Sequence, residues 1–247
     1  MPLSIRAVRA PLACVAMLLG CWTLTAAADA PAIAESDYTK LIEADLKLVD
    51  AAAAAPTDKK AVNRGKMAAM MVALYAQNQA AKNPKMAGVR DAALKAFEAI
   101  KDDKAANAKG LIAAALKDDA KGNAKAVDLH KNFDISDLMN QFGSEKGSGV
   151  GLEKKIKDHV KKGMTSPELV DVLHKVAIIG QYSEHFAPAK DEGKKKKADW
   201  IKWSQDMTKA AVEAAAVAKG KPSPTDLKKA LAKLDVSCTE CHGVFRD

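Results

Sequence analysis

The chain has 247 residues, 48% of them hydrophobic but only 4% aromatic, with 39 Lys and Arg against 31 Asp and Glu for a formal net charge of +8. An apolar share of that size supports real cores, while an alanine-rich background poor in aromatic residues disfavours a β-rich fold and suits closely packed helices. The expected fold class is all-α in one or two domains; the positive balance favours acidic partners, but lysines spread along the whole chain do not mark a nucleic-acid binder.

The chain begins MPLSIRAVRAPLACVAMLLGCWTLTAAADAPA. Arg6 and Arg9 precede an apolar stretch over 11–25, and Ala28-Asp29-Ala30 has the small-x-small pattern of a cleavage site. Residues 1–30 are therefore expected to be a signal peptide, and the protein to be periplasmic or secreted. The apolar run is short for a membrane span, so no transmembrane segment is expected. A lipid-anchored alternative uses Cys21 in LLGC, although Leu in the middle of that site is unusual. Either route removes Cys14 and Cys21 as partners for a structural bridge. Cleavage after Ala30 leaves 37 basic and 30 acidic residues, a net charge of +7.

Beyond the leader nearly every segment has helical composition. Helices are predicted over 37–50, 58–82, 87–101 and 104–118, with Gly110 in the last permitting either continuation or a break. A turn-rich region follows over 122–151, ending in GSEKGSGVG at 143–151, whose four glycines read as a loop. Further helices are predicted over 152–162, 167–186, 198–219 and from 224 to the C-terminus. Ser166 is placed to cap with Pro167 at the first helical position, and Ser223-Pro224-Thr225-Asp226 is a capping box. The lysine run 194–197 reads as a solvated loop, or more sharply as a docking patch. Met67, Met70, Met71 and Leu74 fit one side of a packed helix, which accounts for them without a metal.

Two short stretches correspond. LHKNF at 129–133 resembles CHGVF at 241–245, with Leu129 where the latter has Cys241 and Ala126 where it has Cys238; SDY at 36 resembles SDL at 136. The correspondence implies two related helical-bundle domains, 31–133 without a cysteine pair and 134–247 with one.

In the last helix Leu227, Leu231, Leu234, Cys238, Cys241 and Phe245 recur at alternating spacings of four and three, which makes one apolar stripe with both cysteines on it. The chain ends SCTECHGVFRD. In an exported protein Cys-x-x-Cys-His supplies two thiols for thioether bonds to haem vinyl groups and an adjacent imidazole for the iron. A zinc site would need Cys238, Cys241, His242 and a fourth donor, and lacks the usual pair-and-pair pattern. A dithiol redox centre commonly opens a helix after a strand, whereas this pair is near a helix end.

On these residues the stretch 134–247 resembles the class II c-type cytochromes, the cytochrome c prime group. The resemblance implies a four-helix haem bundle with one covalent haem c on the final helix. Cys238 and Cys241 would be its anchors and His242 the proximal iron ligand, with Phe245 packing at the haem and Arg246 meeting a propionate. Class I cytochromes attach haem near the start and draw a distal Met from later chain, and GVFRD leaves no room for one. Low-spin members of the class II group take a sixth ligand from the first helix, where this chain has Met139 in DLMNQF; high-spin members leave the position vacant. His159, His174 and His185 are alternatives to Met139. The glycine-rich 143–151 departs from the simplest form of the group. The expected function is that of a monohaem carrier of single electrons, not an enzyme, between redox donor and acceptor proteins. The alternative is a small-gas-binding or sensing haem protein with five-coordinate iron. A homodimer is also compatible with the sequence.

Overall fold

The computed structural model describes residues 32–117, 122, 125–147 and 149–245; the predicted leader 1–30 and Arg246 lie outside the described residues. Among these, the α-helices in chain order are α1 Glu35–Ala54, α2 Lys59–Ala80, α3 Pro84–Lys101, α4 Leu111–Lys117, α5 Ile135–Met139, α6 Leu152–Lys162, α7 Pro167–Ser183, α8 Lys197–Lys219 and α9 Pro224–Phe245. Short 3-10 turns at Ala105–Ala108, Leu129–Lys131, Glu145–Gly147 and Glu184–Phe186 punctuate them. The all-α expectation holds over the described chain.

Side-chain caps account for four of the helix starts. Asp58 accepts from the amides of Lys60 and Ala61 at 2.9 and 3.3 Å, and Asn83 accepts from Lys85 at 3.1 Å with Pro84 at the first helical position. Ser166 accepts from Leu169 at 3.1 Å, and Ser223 accepts from Asp226 at 3.2 Å while donating to its carboxylate at 2.7 Å. Each satisfies an amide that the first helical turn leaves without a partner. The helix predicted over 104–118 is instead a 3-10 turn followed by α4, because Gly110 takes a left-handed φ of 74° between them. The helix predicted over 167–186 ends at Ser183, and its last residues tighten into the 3-10 turn Glu184–Phe186.

Helix α2 lies between α1 and α3, and α6, α7, α8 and α9 touch in a cycle. Close approach of α1 to α2 depends on Gly65, where a Cβ would fall 2.3 Å from that of Ala52. One continuous apolar core joins the two sets, from Tyr38, Met70 and Phe97 through Leu173 and Ile178 to Leu231. Polar ties cross the same seam. Asp45 on α1 pairs with Lys175 on α7 at 2.5 Å and accepts from the Tyr75 hydroxyl at 3.1 Å. Asp37 pairs with Lys219 at 2.6 Å, Asn78 donates to Gln181 at 2.8 Å, and Lys66 pairs with Asp137 at 2.7 Å.

The boundary predicted at 133/134 falls between the 3-10 turn Leu129–Lys131 and α5, with Phe133 buried edge-on to Phe97 at 4.7 Å. LHKNF thus forms one short turn, whereas CHGVF continues a long helix.

Candidate functional site

Burial along α9 tapers toward its end. Leu227, Leu231 and Leu234 are at most 1% exposed, Cys238, Cys241 and Phe245 are half-buried, and His242 is exposed. The predicted apolar stripe is therefore the inward face, closing against α8 and the core. His242 follows Pro224 by eighteen residues, about five helical turns, and so lies on the same line of the helix. Pro224 abuts Gly163, the C-cap of α6. From there α6 runs back beside α9, with Lys157 under the influence of Asp235 and Glu153 within electrostatic reach of Cys238. Eleven residues of α6 span roughly 16 Å, about half the length of α9. His242 therefore shares its line of α9 with Pro224, the residue that meets the end of α6.

Both thiols are free. Cys238 Sγ is 4.0 Å from Met207 Sδ on α8, and burial pushes its pKa up to about 11; burial also raises that of Cys241. Half-burial beside a thioether gives the pair an apolar wall.

Phe245 sits at the end of the same stripe. Trp200 and Trp203 of α8 meet its ring edge-on at 4.8 and 5.7 Å. Trp203 Nε1 donates to Glu240 at 3.1 Å, and Trp200 Nε1 donates to the Ser183 carbonyl at 2.6 Å, which fixes this aromatic group to α9 and to the end of α7. Sequence reasoning missed Trp200, Trp203 and Met207. Their spacing of three and four on one face of α8, opposite the α9 stripe, is the signal that would have found them.

The remaining candidates are carried by other elements. Met139 ends the five-residue α5 and packs, half-buried, against the shared core. His159 Nδ1 is 3.1 Å from the Met164 carbonyl, to which it donates when Nε2 accepts from the Ser166 hydroxyl at 3.4 Å. His174 is 3% exposed inside α7, its Nδ1 is buried without a hydrogen-bond partner, and burial lowers its pKa to about 4. His185 stacks on His130 at 5.7 Å, and His130 in turn pairs with Asp128.

The chain matches no family model, no curated protein and no solved structure. Among the described residues no helix is long and apolar enough to cross a membrane.

Proposed function

We propose that the chain is an exported monohaem c-type cytochrome that carries single electrons between redox partner proteins. One observation carries this reading: the terminal helix pairs two unbridged, half-buried thiols one turn apart with an exposed imidazole in the next position. The donor set fits haem c, since two thiols and an imidazole are what thioether attachment and proximal ligation require. Cys238 and Cys241 would anchor the porphyrin, His242 would be the proximal ligand, and Met139 the sixth. Bound haem would supply an iron that alternates between ferric and ferrous states. Met207 and Phe245 would provide apolar contact on the α8 side, and burial there would favour the reduced, less charged form. The cycle of contacts among α6, α7, α8 and α9 supports a four-helix arrangement around the site, and export accords with the leader expected over 1–30.

The test is production with the leader in a host that attaches haem in its periplasm. The expected product keeps haem through a denaturing gel, shows a low-spin spectrum and responds little to carbon monoxide. Cys238→Ala with Cys241→Ala abolishes covalent haem, and Met139→Ala abolishes the low-spin signature. A mature chain with two free thiols and no haem overturns the reading. The packing of Met139 on the shared core favours a second reading, small-gas binding at five-coordinate iron; a high-spin ferrous spectrum that changes with carbon monoxide would decide for it.

A further inference from the structure

We propose that the 188–197 reversal between α7 and α8, together with the ring of Phe245, is a docking surface for an acidic region of a partner redox protein, an inference that rests on the electron-carrier reading above. The reversal is held in shape by its own chain. Glu192 and Lys195 exchange both main-chain hydrogen bonds, at 3.0 and 2.7 Å, around Gly193 with a φ of 53°. The Asp191 carboxylate accepts from the Lys197 amide at 2.9 Å and pairs with Lys196 at 3.7 Å. Within 190–197 five lysines face two acids, a local excess of three positive charges. Lys190, Lys194, Lys196 and Lys197 are all exposed.

Position links this charge to the candidate site. Pro188, Ala189, Lys190, Glu192, Lys195 and Phe245 line a cavity of about 250 Å³. Phe245 follows His242 by three residues, about 5 Å along the helix axis. The basic surface and the motif thus share one end of the molecule, and a partner seated there brings its own redox group toward α9. A protein fits better than a lipid surface. Amphipathic membrane binding needs apolar side chains to insert, and the large exposed ones among the described residues, Met164 and Val236, belong to other parts of the chain. The reversal offers instead a shallow cavity for a partner side chain inside a rim of lysines. Such a rim acts chiefly on the rate of association and its salt dependence.

The experiment titrates the full, isotope-labelled mature chain at low salt with flavodoxin, an acidic electron-transfer protein, and separately with phosphatidylglycerol vesicles. Flavodoxin is expected to shift resonances at 188–197 and Phe245, and Lys190→Glu with Lys194→Glu to abolish those shifts. In stopped flow one electron passes from flavodoxin hydroquinone to ferric haem. The ratio of that rate to the rate with neutral reduced lumiflavin is expected to fall about tenfold in the variant, the fall vanishing at high salt. An unchanged ratio, shifts mapping elsewhere, or vesicles outcompeting flavodoxin for the reversal overturns the proposal. Haem-free protein whose shifts still map to 188–197 removes the electron-carrier reading and leaves the acidic-protein surface standing. Haem-loaded protein whose shifts map elsewhere does the reverse.

Discussion

Helices α2 and α9 are both 22 residues long, and they use burial in opposite ways. Every residue of α2 over 67–76 is buried, since α1 and α3 flank it and α7 closes the remaining side. Met67, Met70 and Met71 are at most 2% exposed there, so their flexible thioethers are core filler. In α9 the buried residues are Leu227, Leu231, Leu234 and Ser237, and beyond them the stripe is only half covered. Sulfur on a helix face is thus a covered thioether in α2 and a half-covered thiol in α9. Residue type and incomplete cover together separate the candidate site from the core.

This contrast can be broken or sharpened by measurement. The largest effect is expected from Asp45→Ala, which leaves Lys175 charged and nearly buried at the seam beside α2 and removes the acceptor of Tyr75. Urea denaturation should report a loss of about 3–5 kcal/mol, much of it recovered when Lys175→Met is added. Next comes Met70→Ala in α2, expected to cost about 2–5 kcal/mol. The matching change in α9, Val236→Ala at a residue 54% exposed, should stay within about 0.5 kcal/mol. Equal losses at the two positions would erase the distinction drawn between the helices.

His174 gives a pH-dependent version of the same test. Burial first, then Lys219, lowers its pKa from 6.5 to about 4, with Asp37 opposing. Below pH 6.5 the unfolded chain takes up a proton that the folded chain refuses until about pH 4. Stability should therefore fall as pH drops through that window, by up to about 1.4 kcal/mol per pH unit, and His174→Leu should flatten the profile of urea midpoints. A loss of about 1 kcal/mol is expected from Ser223→Ala at the start of α9, where an N-cap is removed.

Features written in adjacent residues were legible in the sequence. Ser166-Pro167 and Ser223-Pro224 announced two helix starts, Leu152–Lys162 was delimited by flanking glycines, and the α9 stripe named its inward face residue by residue. Features that need a distant partner were not. Asp45 and Lys175 are 130 positions apart, and in an Asp- and Lys-rich chain nothing marks these two for burial. Arg90, which no motif in the sequence marks, is 0% exposed and bonded to Asp91, Gln77 and the Lys125 carbonyl. The split of 104–118 into two pieces was open because Gly110 can continue a helix or turn left-handed, and in the fold it turns left-handed. At the site, the thiols and the imidazole were legible from spacing, whereas the Met207 contact and the aromatic group on α8 came from packing between helices.

The edge-on placing of Trp200 and Trp203 around Phe245 has an optical consequence. Of the three tryptophans in the chain, Trp22 belongs to the expected leader, so in processed protein these two supply all the indole emission. That light originates beside the thiols of α9. A joined porphyrin would quench it by energy transfer, while a chain that had missed attachment would stay bright, and attachment could be followed on the purified protein without a label.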